Sequence, residues 1–113
     1  RLVIDRMLEV LGKFDALLCP TEPTTAPRID QEMVKFPGYE EARVPALVRH
    51  TRLYNLTSLP AITVPCGFAS NGLPIGLEIA AAPFAEGLLL RMAHAYQGAT
   101  EWHLRVPPVA LGK

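Results

Sequence analysis

Apolar side chains recur with the period of an α-helix in two stretches of this chain, one near each end. Near the start they occupy Ile4, Met7, Leu8 and Leu11. Near the end they occupy Leu89, Met92, Ala93 and Tyr96. Both sets follow the i, i+3, i+4, i+7 spacing that puts side chains on one helical face, so the pattern predicts two amphipathic helices. Gly12 and Gly98 are expected to end these helices, and Pro83 to open the second.

Two further stretches have the pattern of β-structure. Residues 16–19 are a short apolar run closed by Pro20, which is typical of a strand covered on both faces. Residues 61–82 contain a run rich in β-branched side chains, an Asn-Gly turn signal at 71–72 and an alternating apolar run. We therefore expect a β-hairpin there, with Pro65 at a sheet edge or a bulge, where no ladder donor is needed.

The segment after the first strand is rich in proline. Because Pro20, Pro23 and Pro27 fix the backbone three times, residues 20–27 are predicted to be a stiff loop at the end of a strand. Loops in this position bind ligands in open α/β sheets, although a plain connector is the simpler interpretation.

The middle of the chain gives weaker signals. Residues 28–44 carry mixed charge, and only the Pro-Gly pair at 37–38 indicates a turn. Pro45 fits the first turn of a short helix that runs to about residue 50. Residues 51–60 are polar and show no clear period.

Composition limits the class of protein. The chain has 113 residues, of which 50% are hydrophobic and 19% charged, so we expect one folded α/β unit over 1–113. Eleven basic residues balance eleven acidic ones, which argues against nucleic acid or an anionic membrane as a partner. Two cysteines are too few for a disulfide scaffold, so a cytoplasmic location is predicted.

The side chains that usually carry chemistry do not form a known pattern. His50, His94 and His103 lack the spacing of a zinc site, so neither a metal nor a cofactor is predicted. Cys19 and Cys66 fall in or beside apolar strand runs, where an inert buried thiol is expected. The two serines, at 58 and 70, lie outside any nucleophile motif, and phosphate-binding glycine patterns are missing from the sequence. We therefore predict no catalytic residue within the chain.

Several blocks of sequence resemble the C-terminal segment of amidase signature enzymes. Residues 55–68 and 71–79 resemble its hairpin region, and residues 14–21 with Ala26-Pro27 resemble its strand and proline-rich loop. Residues 84–96 and 99–103 resemble its last helix and tail, particularly in bacterial amidases and in the A subunit of tRNA-dependent amidotransferases. The resemblance extends over about residues 10–104.

This resemblance implies a piece of a large α/β/α fold, with part of a mixed sheet, a β-hairpin and flanking helices. It also implies hydrolysis or transfer at the C–N bond of a carboxamide. The family uses a nucleophilic serine, a bridging serine and a lysine, which serves as the base. The Gly-Gly-Ser-Ser tract of that triad is missing from this sequence, and Lys13, Lys35 and Lys113 are outside the family's lysine context.

We therefore expect the C-terminal part of an amidase that is inactive alone, and Arg1 at the first position suits a chain cut from a longer one. Its partner would be the N-terminal catalytic portion. A complementing subunit, which would restore activity to that portion, and a non-enzymatic binding module remain open. A cut sheet leaves an unpaired edge, so a homo-oligomer, in the simplest case a dimer, is also predicted.

Substrate contacts are predicted from the loop and from residues 51–55. Thr21, Thr51 and Asn55 are the candidates, although their side chains could equally satisfy neighbouring backbone groups. The resemblance implies that an aspartate of the amidotransferase subunits holds the ammonium of glutamine, and its counterpart here is Val48. Because the chain has no acidic residue between Arg43 and Asn55, the resemblance favours a general amidase over a specialised glutamine hydrolase. The parent's substrate stays open.

Overall fold

The computed structural model describes residues 1–108. In chain order, the elements are α1 (Leu2–Leu11), β1 (Leu17–Pro20), β2 (Met33–Phe36), β3 (Tyr39–Ala42), α2 (Arg43–Leu47), α3 (Thr51–Thr57), β4 (Ala61–Phe68), β5 (Pro74–Ala80), α4 (Glu86–Ala99) and a 3-10 turn (Trp102–Leu104). The α/β class, with a β-hairpin and flanking helices, is confirmed.

The main sheet has three strands in the order β1-β5-β4. Both pairings are antiparallel: Leu18 lies opposite Ile79, and Ile62 lies opposite Ile79 on the other side. The hairpin predicted over 61–82 is therefore correct. Pro65 lies on edge strand β4, and the register shifts between Pro65 and Gly67, so the proline occupies an edge and a bulge together.

The central strand β5 separates two apolar clusters because its side chains alternate between the two sheet faces. On one face Ala80 packs with Leu11, Tyr54 and Leu59, which brings α1 and α3 onto the sheet. On the other face Ile79 packs with Ala81 and Leu89, which brings α4 onto it.

The end helices follow the predicted stripes with small differences. Leu11 and Leu89 are buried, as is Ala93, whereas Leu8 remains 40% exposed. Helix α1 ends at Leu11 as expected. Helix α4 begins at Glu86 rather than at Pro83, and continues through Gly98 to Ala99.

Strand β1 differs from its prediction. A strand covered on both faces was expected, but the Leu18 side chain is 59% exposed while Leu17 and Cys19 are half-buried. The reason is the position of β1 at the edge of this sheet. Within residues 1–108, the helices that pack against β1 lie mainly on the face that carries Leu17 and Cys19.

Strands β2 and β3 form a separate hairpin, which the sequence pattern did not identify beyond its Pro-Gly turn. Gly38 has φ +82, the left-handed conformation that glycine adopts without strain. Val34 of the hairpin and Ala46 of α2 are both buried. Arg49, which follows α2 in the chain, holds the hairpin in place. Its guanidinium donates a hydrogen bond to the Tyr39 hydroxyl (3.1 Å) and pairs with the Glu41 carboxylate.

Helix α3 occupies residues 51–57, where no period was visible in the sequence. It buries Tyr54 and Thr57 and exposes Leu56, so its inward face mixes polar and apolar side chains. The Thr57 hydroxyl donates back to the Leu53 carbonyl at 2.8 Å, which satisfies the buried hydroxyl within the helix. Within residues 1–108, no helix has the length and apolar character needed to cross a membrane.

The end of α3 supplies a stability test. Ser58 caps the helix with φ 56 and ψ 29, a left-handed conformation that costs an L-residue about 1–2 kcal/mol. Glycine avoids this cost but loses about 0.5–1 kcal/mol in chain entropy on folding. We expect Ser58→Gly to raise the free energy of unfolding by about 0.5–1 kcal/mol in urea titrations. Ser70→Gly, at an exposed turn residue outside the positive-φ region, is the control. Equal effects of both changes would contradict this reasoning.

Candidate functional site

The proline-rich loop forms one wall of a surface cleft of about 520 Å³. Residues 21–27 line this wall, and the start of β5, at 74–76, lines the facing wall. Leu47 of α2 and Thr63 of β4 complete the lining. The cleft therefore lies at the end of β1, the position that the sequence indicated for a ligand-binding loop.

The base of the loop is fixed to the sheet. The Thr21 amide donates to the Gly76 carbonyl at 2.9 Å, which extends the β1–β5 pairing by one residue. The Thr21 hydroxyl donates to the Thr63 hydroxyl at 3.2 Å. Any side chain at Gly76 would place its Cβ 2.7 Å from Thr21 Oγ1, so only glycine allows the loop to approach this closely.

His50 links the loop to the helices. Its Nδ1 lies 2.7 Å from the Pro20 carbonyl oxygen. A carbonyl only accepts hydrogen bonds, so Nδ1 carries the proton and donates. This contact ties the residue before α3 to the end of β1.

A buried polar cluster lies on the sheet face below α3. Glu78 of β5 is only 5% exposed, and the Cys19 thiol donates to its Oε2 at 3.7 Å. The Cys19 sulfur also lies 3.6 Å from the Tyr54 hydroxyl. Cys19 therefore links Tyr54 and Glu78 through its two hydrogen-bond contacts, which limits the cost of burying these polar groups.

Burial controls the ionisation of this cluster. Burial raises the pKa of Glu78, and the hydrogen bond from Cys19 lowers it only in part. Burial likewise raises the pKa of the Cys19 thiol, so it stays protonated at neutral pH, as expected for an inert cysteine. Burial and the contact with Cys19 raise the pKa of Tyr54.

Glu22 is the ionisable side chain of the cleft lining. Its Oε2 atom is buried and has no hydrogen-bond partner among residues 1–108. Burial raises the pKa of Glu22, and the nearby His50 partly opposes that rise. A carboxylate in this setting is poorly solvated and has free capacity to accept a donor.

The structure separates the three residues predicted to contact substrate. Thr21 lines the cleft, whereas Thr51 begins α3 half-buried and Asn55 lies exposed on the same helix. Thr51 and Asn55 are outside the cleft lining, and the role of all three stays a prediction. Val48 caps the end of α2, directly after the lining residue Leu47.

The remaining candidates lie apart from this cleft. His94 and His103 are exposed. Within residues 1–108, no three histidine, cysteine or acidic side chains come together in a way that could hold a metal ion.

Sequence reasoning missed the acidic side chains, Glu22 and Glu78. The alternation in β5 did place Glu78 on the face of Gly76 and Ala80, and a lone charge within an apolar strand was the available signal. For Glu22 the neighbouring prolines gave no signal, because its burial depends on contacts with distant strands.

Residues 1–90 match the family model described as Amidase. The chain is 38% identical over 109 residues to the A subunit of glutamyl-tRNA(Gln) amidotransferase from Brevibacillus brevis, an alignment that covers 94% of this chain and 21% of that protein. The chain thus spans about a fifth of the length of the curated relatives it matches.

Solved structures show the same similarity. A crystal structure of an amidase superposes with a TM-score of 0.77 at 25% identity, covering 82% of this chain and 21% of that one. The A subunit of glutamyl-tRNA(Gln) amidotransferase from Thermotoga maritima superposes with a TM-score of 0.61 at 38% identity, covering 78% and 18%. The amidase signature architecture expected from the sequence is confirmed.

The buried carboxyl of Glu78 predicts a pH dependence of stability. Its pKa in the folded chain lies above the ordinary value of 4.5, so the folded state binds protons more tightly than the unfolded state between these two values. Stability should therefore fall as pH rises through that window. We expect Glu78→Gln to reduce this slope in urea titrations between pH 4.5 and neutral pH, and to be the more stable form near neutrality.

Exposed Glu32 provides the matched control, since Glu32→Gln should keep the wild-type slope. A residual slope in Glu78→Gln is expected from Glu22, whose pKa is also raised. An unchanged slope in Glu78→Gln would show that this carboxyl is not the group responsible.

Proposed function

Because the chain belongs to the amidase family, we propose that it forms the C-terminal part of a hydrolase that cleaves the C–N bond of a carboxamide. The observation that carries this proposal is the family match over residues 1–90, which includes every segment that builds the cleft. In the reaction, water and the amide give a carboxylate and an ammonium ion or a protonated amine. This chain would supply one wall of the substrate site.

The nucleophile, in this proposal, comes from a different segment of the enzyme. Ser58 is occupied as the cap of α3, and Ser70 lies in the exposed turn between β4 and β5. Lys13 pairs with Glu9 at 3.7 Å, and Lys35 lies opposite Glu40 in the β2–β3 hairpin. These positions support the view that the Ser-Ser-Lys machinery of the family is not built from residues of this chain.

A second candidate is the A subunit of a tRNA-dependent amidotransferase. It is favoured by the 38% identity to such subunits over most of the chain. Against it stands Val48, because a valine offers no charge to the ammonium group of glutamine. We therefore place a stand-alone amidase first. The two differ in one measurable property, since only the amidotransferase component should prefer glutamine to simple amides.

The partner proposed for this chain is the catalytic portion of the same enzyme, in the cytoplasm. Its candidate contact surface includes four exposed apolar side chains of α1 and the open edge of β1. Each of the four is more than a third exposed: Leu2, Val3, Leu8 and Val10. Apolar surface of this kind favours association, so the isolated chain is proposed to pair with a second copy through the same surface.

Hydrolysis measurements test the proposed function. We expect the purified chain to leave p-nitroacetanilide intact, and a mixture with the catalytic portion of a family member to hydrolyse it. The reason is that serine activation needs the neighbouring base. Turnover by the chain alone that disappears in Ser58→Ala or Ser70→Ala would overturn the proposal. Failure of every mixture to act on amides would favour the binding-module alternative.

Sedimentation at micromolar concentration tests the pairing. We expect a dimer for the wild-type chain and a monomer for Leu18→Lys, because a lysine on an open strand edge opposes strand pairing. Leu18 is 59% exposed in β1, and Leu104→Lys, at a position 65% exposed outside the sheet, should remain dimeric. A monomeric wild-type chain would contradict the proposed pairing.

A further inference from the structure

We propose that the cleft under the proline-rich loop binds an organic cation, a primary ammonium group on a short apolar body, with Glu22 as its counter-ion. That the chain binds such a cation is independent of the amidase activity. That the cation is part of the substrate rests on the proposed function above.

The lining of the cleft defines the class of ligand. Glu22 carries the only ionisable side chain among the twelve lining residues. The others are threonines, prolines and small or aliphatic residues, among them Leu47 and Ile75. Methylene groups of a ligand gain free energy by leaving water against such walls, at about 25 cal/mol per Å² of buried apolar surface.

The state of Glu22 defines the charge of the ligand. Its Oε2 is buried without a hydrogen-bond partner in residues 1–108. The last torsion of a glutamate side chain is broad, so rotation can present either oxygen to a donor in the cleft. An ammonium group would supply both a donor and an opposite charge, whereas an alcohol would supply a donor only and a carboxylate would be repelled.

The side chains near Glu22 leave its carboxyl available to accept a hydrogen bond from a ligand. The proton on His50 Nδ1 is already donated to the Pro20 carbonyl, which orients the ring toward the backbone. Glu78 accepts a hydrogen bond from the Cys19 thiol. It is a second acidic group near the cleft, close enough to Glu22 for the charge of Glu22 to raise its pKa. The Glu22 carboxyl is thus the charged group that the cleft lining offers to a ligand, and it complements a cation.

Three probes of similar size separate charge from apolar contact. The ¹⁵N-labelled chain is titrated with n-butylammonium, butan-1-ol and butyrate at constant ionic strength, and amide shifts are followed by NMR. We expect butylammonium to shift the amide resonances of Thr21, Glu22 and Gly76. It should bind about tenfold more tightly than butan-1-ol, and butyrate should not bind. Equal binding of ammonium and alcohol, or no binding of butylammonium, would overturn the proposal.

Variants then assign the charge to Glu22. Glu22→Gln should weaken butylammonium binding about tenfold, to the level of the alcohol, while Glu22→Asp should retain a preference for the cation. Glu32→Gln, at an exposed position outside the cleft, should bind like the wild type. Unchanged butylammonium affinity in Glu22→Gln would overturn the assignment. The comparison of the three probes on the wild-type chain stands even if this variant disturbs the loop.

The active mixture tests the substrate class. 5-Aminopentanamide and hexanamide differ only in replacing a terminal ammonium group by a methyl group. We expect kcat/KM to favour the aminoamide about tenfold, and Glu22→Gln to remove the preference. A mixture that hydrolyses both amides equally would overturn the substrate assignment. A mixture that hydrolyses neither would count against the amidase function, while the NMR result would still decide the cation site.

Discussion

Strand β5 hydrogen-bonds along both edges, to β1 on one side and to β4 on the other. Its alternating side chains direct Ile79 toward α4, and Glu78 and Ala80 toward the opposite face, where α1 and α3 pack. A slip of one residue would move the carboxyl of Glu78 into the apolar cluster under α4 and bring Ile79 among the polar side chains. The carbonyl of Gly76 on the same strand holds the proline-rich loop, so the cleft depends on the same register.

The parts of this arrangement that depend on neighbours in the chain could be predicted from the sequence. The β4–β5 hairpin and the buried stripe of α4 repeat with clear periods, and the prolines of the loop restrict the backbone by themselves. Helix α3 could not be predicted in this way, because it buries Thr57 and exposes Leu56, which removes the apolar stripe. The β2–β3 hairpin could not be predicted from a local pattern either. It is held partly by Arg49, a residue outside both strands that contacts Tyr39 and Glu41.

The same division explains what was predicted of the candidate site. The loop and Thr21 could be identified because a proline-rich segment follows an apolar strand. The acidic groups could not, since the Oε2 atom of Glu22 becomes buried only in the folded chain, where β4 and β5 complete the cleft around the loop. The spacing of residues also gave no reason to join Cys19 and Tyr54 to Glu78, because each lies on a different element of the fold. Ionisation in this region is thus a property of tertiary packing, which a linear pattern does not contain.

Sequence identity and backbone similarity rank the relatives of this chain differently. The Thermotoga maritima amidotransferase component shares more residues, at 38%, and the amidase structure shares more of the backbone path, with a TM-score of 0.77 against 0.61. Neither quantity decides the substrate, because both average over positions that only maintain the fold. The residues that distinguish ligands are those lining the cleft, and a single carboxyl in an apolar wall changes the preferred charge of a ligand more than many substitutions in the core. For the proposed substrate, the carboxyl of Glu22 in the cleft lining therefore carries more weight than overall identity does.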